Sequence, residues 1–376
     1  MLSDAVARLG GRPSVYDPDP QAPARLRVRD VVHAPFGDVE SLRAFCDECD
    51  VVTYEREDLP LDALRAATAG TRVVPSLAVL EAAQDRAKEK SFFVRNGLPC
   101  VRHVALERGA PFVDACIRFG FPLIAKTQRG GYDGKGQFFI QGRDDAARAH
   151  EALPQATWVL EEPVKLLAEA SCIVARSPSG EAVFPVVENL HREHVLDRSL
   201  VPARLGADVA ARMRDLALSA SRALDVQGLL AVEFFLTPRG GGDPAAGEVD
   251  VVINELAPRP HNSGHVFGRA CTFSQFDALA RILVGAPLGP PTLLEGSYCM
   301  GNLLGDVWLA QGRTGPSLDL AAWASFEDVI DVHIYGKTDP QVRRKMGHFV
   351  VRASSGQGAL ERAHAFREAL STRKSR

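Results

Sequence analysis

The stretch FPLIAKTQRGGYDGKGQFFIQ, residues 121–141, sets an apolar β-type run against four glycines gathered around a lysine, then returns to apolar residues. Such glycines suit phosphate, because backbone N–H groups can close over its oxygens where no Cβ stands in the way. Two familiar loops fail on spacing. A Walker A loop needs a glycine five residues before its Gly-Lys pair and a Ser or Thr after it; here Arg129 and Gly136 hold those places. A dinucleotide-binding turn needs a helix after its glycines, and QFFIQ reads as a strand. What remains is a strand–loop–strand hairpin, with Lys126 ending the first strand and Lys135 in the loop. Taken alone, the stretch also fits a hairpin that holds no ligand.

A helix near residues 111–119 precedes this hairpin, and a helix from residue 144 and the strand TWVLEE follow it, which marks one unit over residues 98–162. In residues 1–97 the β-type runs RPSVY, DVVTYE and TRVVP alternate with helical runs, the pattern of a parallel sheet flanked by helices. Two more helical stretches cover residues 76–96 and end at Gly97 and Pro99. In residues 163–376 the pattern turns antiparallel. SCIVARS and EAVFPVVEN flank the turn PSG, and GLLAVEFFLT pairs with VDVVINE across the tip RGGGDPAAG. Helices over residues 207–224 and 274–284 are expected to cover that sheet. The expected fold class is α/β plus α+β. The chain opens on a helix, residues 3–9, with Ser3 as its cap and Gly10–Gly11 as its stop. A nucleotide-type domain ordinarily opens on a strand and a glycine turn.

At 376 residues the chain can carry two or three domains with sizeable cores. A formal net charge of -3 and the absence of basic runs argue against nucleic-acid or membrane partners. The STRKSR tail reads as a solvated end. No apolar run reaches the ~18 residues of a spanning helix, and the start lacks a signal-peptide pattern. Seven scattered cysteines speak against a disulfide framework and for a reducing, cytoplasmic location. Cys46 and Cys49 in CDEC have redox or zinc spacing, but they fall near a helix end, where the dipole disfavours thiolates.

Three further clusters carry chemistry. Glu233 in AVEFF and Glu255 in VINEL lie in the two strands of one expected hairpin and can project to one face. Converging carboxylates of this kind suit magnesium. Asn254 alternates to the other face unless the strand bends. In NELAPRPHNSGH, Arg259, His261, Asn262, Ser263 and His265 crowd a loop, where an arginine with polar donors suits a small oxyanion. His261 and His265 are four apart, but Pro260 and Gly264 make a metal-binding helix a poor fit. In DVHIYGKTDPQVRRKMGHFVV, residues 331–351, Lys337, Arg343, Arg344 and Lys345 bracket a turn between two β runs. A solvated basic edge fits this last cluster too.

Together these elements resemble the ATP-grasp ligases and, more narrowly, the 5-(carboxyamino)imidazole ribonucleotide synthases of purine biosynthesis. The similarity covers nearly the whole chain and rests on DPDPQAPA, VVTYE, QDRAKEK, GGYDGKGQ, EEPV, VVENLH, INELAPRPHNSGH, NLLG, YGK and RRKMGH in that order. It implies an ATP-grasp architecture, with a pre-ATP-grasp domain over residues 1–97, a small lid domain over 98–162 and a large domain over 163–376. ATP is then expected between lid and large domain. Arg86, Lys126 and the loop Gly131, Tyr132, Asp133, Gly134, Lys135, Gly136 and Gln137 would surround its phosphates. Glu161, Glu162, Pro163 and Val164 would form the adenine hinge, with Glu169 at the ribose and His191 and Asn254 completing the nucleotide set. Glu233 and Glu255 would hold magnesium or manganese, Glu255 also bordering ATP.

The resemblance further implies that Lys126, Arg259, His261 and Asn262 are catalytic, with bicarbonate held at the HNSGH loop. Tyr54, Glu55 and Glu57 would face the base of 5-aminoimidazole ribonucleotide, Ser263 and His265 would border the substrate, and Lys337 and Arg344 would bind its phosphate. The implied reaction carboxylates that ribonucleotide at the expense of ATP, through carboxyphosphate, in a homodimer. Relatives place a strand and a GGGQLGRM-type turn before the position of Met1, so the first sheet is expected to lack its first strand, with the true start upstream. HREH and Ala168 are smaller departures, where the family favours a glycine and a basic residue. Another ATP-grasp carboxylate–amine ligase, or a nucleotide-binding protein without turnover, also fits many of these motifs.

Overall fold

The structure, a computed structural model, describes residues 1–131, 134–241 and 248–372. The chain opens with α1 (Leu2–Arg8), β1 (Ser14–Tyr16), β2 (Asp30–Val32), α2 (Val39–Asp47), β3 (Val51–Val52), α3 (Leu61–Ala67), β4 (Arg72–Val73), α4 (Leu77–Ala83) and α5 (Arg86–Arg95). Ser3 does not cap α1 as expected. The Ala5 N–H already bonds the Met1 carbonyl at 3.1 Å, which places Ser3 inside the first turn. Gly10 stops the helix in the left-handed conformation, φ +81°.

The strands pair in parallel, β1 with β2 and β3 with β4, as two separate pairs. α1 leaves this unit and packs Ala5 against Phe276 and Ala280. Cys46 is buried in the local core, and burial pushes its thiol up to about 11. All seven cysteines are free. Cys46 thus belongs to that core, while Cys49 is half-buried and donates to the Phe45 carbonyl at 3.3 Å.

The next unit holds β5 (His103–Ala105), α6 (Phe112–Phe119), β6 (Leu123–Thr127), β7 (Gln137–Ile140), α7 (Arg143–Ala152) and β8 (Trp158–Glu161). Its antiparallel sheet runs β5-β8-β6-β7, with the glycine loop joining β6 to β7. α6 and α7 bury Phe112, Cys116 and Ala149 against Leu123, Ala125 and Leu160.

The remainder is one nine-stranded sheet with its covering helices. It comprises β9 (Ala168–Ser177), β10 (Gly180–Val183), β11 (Val187–Arg192), β12 (Val195–Val201), α8 (Ala207–Ala223), β13 (Gly228–Pro238), β14 (Val249–Ala257), α9 (Phe267–Ala270) and α10 (Gln275–Leu283). It closes with β15 (Ser297–Leu304), α11 (Gly305–Ala310), β16 (Val329–Ile334), β17 (Lys345–Ala353) and α12 (Gly356–Ser371). The strand order is β14-β13-β9-β11-β12-β15-β17-β16, with β10 beside β9. β13 is apolar on both sides of Glu233 because both its faces are covered, by α8 on one side and α10 on the other. α12 lays Ala359, Ala363, Phe366 and Leu370 over β15 and β17.

What joins the three parts is a buried charge cluster at α5. Glu161, 2% exposed, lies between Lys126 Nζ at 2.6 Å and Lys90 Nζ at 3.3 Å. Lys90 Nζ also donates to the Asn254 carbonyl of β14 at 3.0 Å. Its neighbour Glu89 accepts the Leu256 N–H at 2.7 Å. Burial alone would raise Glu161, but Lys126 and then Lys90 outweigh it and hold the carboxyl at about 2. Burial pushes Glu89 the other way, to about 8, against the pull of Lys90.

Two predictions follow from this packing. A Cβ on Gly301 would lie 2.3 Å from Phe349 Cζ, and Phe349 is itself held edge-on by Phe366. Gly301→Ala is expected to destabilise the protein by about 1–3 kcal/mol, read as a lower urea midpoint. Glu161→Gln leaves two buried lysines without their counter-charge, which costs about 3–5 kcal/mol at neutral pH. Because the folded carboxyl titrates at about 2 and an unfolded one at about 4.3, the difference between wild type and variant should be complete above pH ~4.3. It should shrink as pH falls towards 2. Urea midpoints across that range check it, and a difference that does not change with pH refutes it.

Candidate active site

The N-terminus of α5 anchors the glycine loop. The Asp85 side chain caps the helix by accepting from the N–H groups of Ala87 and Lys88, and its second oxygen takes Arg129 Nε at 3.0 Å. Arg86 donates its N–H to the Gln128 carbonyl at 2.9 Å and a guanidinium N–H to the Gly131 carbonyl at 3.2 Å. Its Nη1 also lies 3.8 Å from Glu255. At the far side of the loop, the Gly136 carbonyl accepts the Thr127 N–H at 2.8 Å. Gly136 has φ +69°, and a Cβ there would sit 2.5 Å from Thr127 Oγ1. Only glycine closes this turn without displacing Thr127. Lys126 sits opposite Gln137 in the register, as expected for a hairpin. Tyr132 and Asp133 lie outside the described residues.

Residues 162–164 pass from β8 in the four-stranded sheet to β9 in the nine-stranded sheet. Glu162 is tied to Arg102 through its backbone N–H and its carboxylate, while Pro163 and Val164 are half-buried. Glu161 is not free to face a ligand. Its carboxylate is occupied by the two lysines. Further along β9, Glu169 holds His191 Nδ1 at 2.8 Å. Burial opposes charge on that ring, but Glu169 outweighs it and raises the imidazole's pKa.

Glu233 and Glu255 stand directly opposite each other in β13 and β14. The register slips at this point, so Asn254 is an extra residue in a bulge rather than a regular alternating position. That is the bend on which its orientation depends. His261 Nε2 lies 2.8 Å from Glu233 Oε1. Burial by itself would raise the Glu233 carboxyl; His261, His191 and Lys345 hold it down at about 2.

The loop after β14 is gripped by Gln275. It accepts the His261 N–H at 2.8 Å, donates to the His261 carbonyl at 2.7 Å and reaches His265 Nδ1 at 3.1 Å. Arg259 pairs with Glu57 at 3.0 Å, which joins this loop to the N-terminal unit. Among the described residues, both amide atoms of Asn262 and the Tyr54 hydroxyl are buried without a hydrogen-bond partner. Buried polar atoms left open in this way fit a ligand that is absent from the structure.

Several expected contacts lie deeper than the sequence implied. Ser263 is fully buried and bonds His261 Nδ1 and Ser171 Oγ instead of facing the cleft. His265 lies beside His348 with ring centroids 4.8 Å apart and planes tilted by 34°, and burial followed by His348 pushes its pKa well down. Glu55 and Gln137 are exposed at the rim. Lys337 donates to the Lys345 carbonyl at 2.7 Å, and burial, Arg344 and Lys345 lower it to about 8. Arg344 lies 3.5 Å from Asp339. Lys90, Glu89 and Gln275 escaped the sequence reading. The two charged residues sit inside the helical run QDRAKEK, where charge reads as solvated, and Gln275 looks like an ordinary first-turn residue.

Comparison with known proteins agrees with this layout. Residues 1–84 match the ribonucleotide synthetase preATP-grasp domain, 91–276 the ATP-grasp domain, and 299–362 the phosphoribosylaminoimidazole carboxylase C-terminal domain. The N5-carboxyaminoimidazole ribonucleotide synthase of Bacillus subtilis (strain 168) is 35% identical over 351 residues, covering 93% of this chain and 87% of the relative. The Staphylococcus aureus N5-carboxyaminoimidazole synthetase complexed with ADP superposes with a TM-score of 0.86 at 28% identity, covering 98% of this chain and 93% of that one. The Aspergillus clavatus synthase, in complex with ADP and 5-aminoimidazole ribonucleotide, gives 0.83 at 25% identity, covering 98% and 95%. The chain belongs to the N5-carboxyaminoimidazole ribonucleotide synthase family of ATP-grasp ligases.

Proposed function

We propose that this chain carboxylates 5-aminoimidazole ribonucleotide with bicarbonate and ATP, releasing ADP and phosphate, and that the residues gathered above divide the work. The observation that carries this reading is one juxtaposition: the opposed carboxylates Glu233 and Glu255 adjoin a loop bearing Arg259, His261 and the unpartnered Asn262 amide.

Arg259 and Asn262 orient bicarbonate, whose oxygen attacks the γ-phosphorus of ATP in line while ADP departs. Lys126 steadies the charge that develops on the transferred phosphoryl oxygens. The product, carboxyphosphate, is short-lived in water, so closure of the glycine loop between Lys126 and Gln137 protects it. Its carboxyl carbon then passes to the exocyclic amine, phosphate leaves with the former bicarbonate oxygen, and the amine loses a proton. Lys337 and Arg344 hold the ribonucleotide's phosphate, and Tyr54 with Glu57 faces its base. Residues 162–164 contact adenine, and Glu169 with His191 meets the ribose.

Glu233 and Glu255 supply the hard oxygen donors that magnesium or manganese takes. His261 occupies Oε1 of Glu233, and Glu255 is partly exposed beside Arg86. A cation bound there would neutralise phosphate charge. The expected homodimer rests on the resemblance, and the expected cytoplasmic location on the scattered cysteines. Among the described residues no helix is long and apolar enough to cross a membrane.

Adding 5-aminoimidazole ribonucleotide to the protein with ATP, magnesium and bicarbonate should stimulate ADP release and yield the carboxyamino product. Lys126→Met should lower kcat by roughly 100-fold or more while the fold, checked by circular dichroism, persists. Absence of ribonucleotide-stimulated ADP release from the wild-type protein would rule the reading out.

A further inference from the structure

Behind the His261 loop runs a chain of hydrogen bonds that the reaction as described does not use. His261 Nδ1 lies 2.8 Å from Ser263 Oγ, and Ser263 Oγ lies 2.7 Å from Ser171 Oγ. Asn189 Nδ2 donates to Ser171 Oγ at 3.0 Å, and Ser199 Oγ donates to Asn189 Oδ1 at 3.2 Å. At its front end, His261 Nε2 meets Glu233 at 2.8 Å. We infer that Ser171 and Asn189 are positioning residues for carboxylation: acting through Ser263, they fix the His261 ring and its tautomer against Glu233. The inference rests on the carboxylation reading above.

The register explains how the chain forms. Ser171 in β9 stands opposite Glu233 in β13, which stands opposite Glu255 in β14. Asn189 in β11 stands opposite Ser199 in β12. The three hydroxyls therefore come from β9, β12 and the loop after β14, and their partners lie as far as 92 residues apart in sequence. Ser171, Ser199 and Ser263 are 0% exposed and Asn189 is 5% exposed. Within so buried a chain, each hydroxyl proton goes to the next group.

The polarity then follows. Asn189 gives an N–H to Ser171, so the Ser171 proton points to Ser263 and the Ser263 proton to His261 Nδ1. The ring's own proton sits on Nε2, facing a carboxylate that can only accept. A ring held from both ends cannot turn. That matters for a group expected to touch a short-lived intermediate, because small misplacement costs large factors in rate.

A purely structural network predicts something different. Replacing one buried hydroxyl would then alter stability and leave the course of the reaction intact. The test compares wild type, Ser171→Ala and Ser171→Thr by kcat, KM for ATP and for bicarbonate, and the ratio of ADP to carboxylated product. Ser171→Ala should lower kcat roughly 10- to 100-fold and release more than one ADP per product, with KM for ATP unchanged. Ser171→Thr, which keeps the hydroxyl, should restore the ratio. If Ser171→Ala does not fold, Ser199→Ala serves, since it unties the chain one bond further out; it should give a smaller loss of the same kind. Folded alanine variants that keep one ADP per product would overturn the positioning role alone. A wild-type protein without ribonucleotide-stimulated ADP release would overturn the carboxylation reading and the inference with it.

Discussion

A carboxylate removed from water and shared by two ammonium groups fixes how the three parts of this chain meet. Glu161 ends β8, Lys126 comes from the neighbouring β6, and Lys90 comes from α5, whose ammonium also reaches the β14 backbone. None of the three can be buried alone, since an isolated charge in such surroundings costs several kcal/mol. Their mutual dependence therefore sets the lid sheet, the connecting helix and the large sheet in one arrangement. The cluster also carries an excess of positive charge, two lysines against one carboxylate. Glu89 does not cancel it, because burial keeps that carboxyl protonated below about pH 8. The surplus lies where Lys126 reaches the edge of the cleft, which is where a polyphosphate would supply the opposite sign.

The large sheet makes its contribution through register. The row Ser171, Glu233, Glu255 runs across three adjacent strands, so carboxylates and supporting hydroxyl share one face without any loop having to place them. Loops then add the groups that strands cannot. The His261 segment is held by Gln275 at both its N–H and its carbonyl, and the capping box of Ser274 and Asp277 fixes the start of the helix that carries Gln275. Gly264 is needed for this fit, since a Cβ there would meet Ile173 at 2.4 Å and Gln275 at 2.7 Å. Rigid backbone and open side chain thus coexist within two residues: His261 is locked, and the Asn262 amide next to it is unpartnered.

The sequence made the lid hairpin legible because glycine spacing, flanking apolar runs and two lysines all point the same way. The opposition of Glu233 and Glu255 was legible from two apolar strands joined by a glycine-rich tip. The bulge at Asn254 was not, because nothing in INEL marks where the register slips. β2 was missed because DVV is too short to stand out just ahead of Pro35 and Gly37. Lys90 and Glu89 were hidden by their surroundings. Alternating charge along a helix normally signals solvent, and only the packing of α5 against two sheets shows otherwise. Ser171 and Asn189 were invisible for a different reason. Each is a single small polar residue inside an apolar strand, and what makes it matter is a partner on another strand.

The turn between β11 and β12 holds two residues in a conformation that favours glycine. Glu193 and His194 both adopt positive φ, +52° and +67°, where glycine would rest without strain. For other residues this conformation costs about 1–2 kcal/mol each. The ion pair of Glu193 with Arg343 is half exposed and offsets little of that. Stability of the turn therefore does not account for these side chains, and their contacts must be considered instead. His194 packs so closely on Gly134 that a Cβ there would lie 2.8 Å from its own Cβ. Glu193 reaches across to Arg343, next to Arg344 and Lys345. A glycine turn would touch neither loop. With Glu193 and His194 in place, the turn meets Gly134 of the glycine loop on one side and Arg343 on the other. A two-residue turn thereby bridges the glycine loop and the segment that carries Arg343, Arg344 and Lys345.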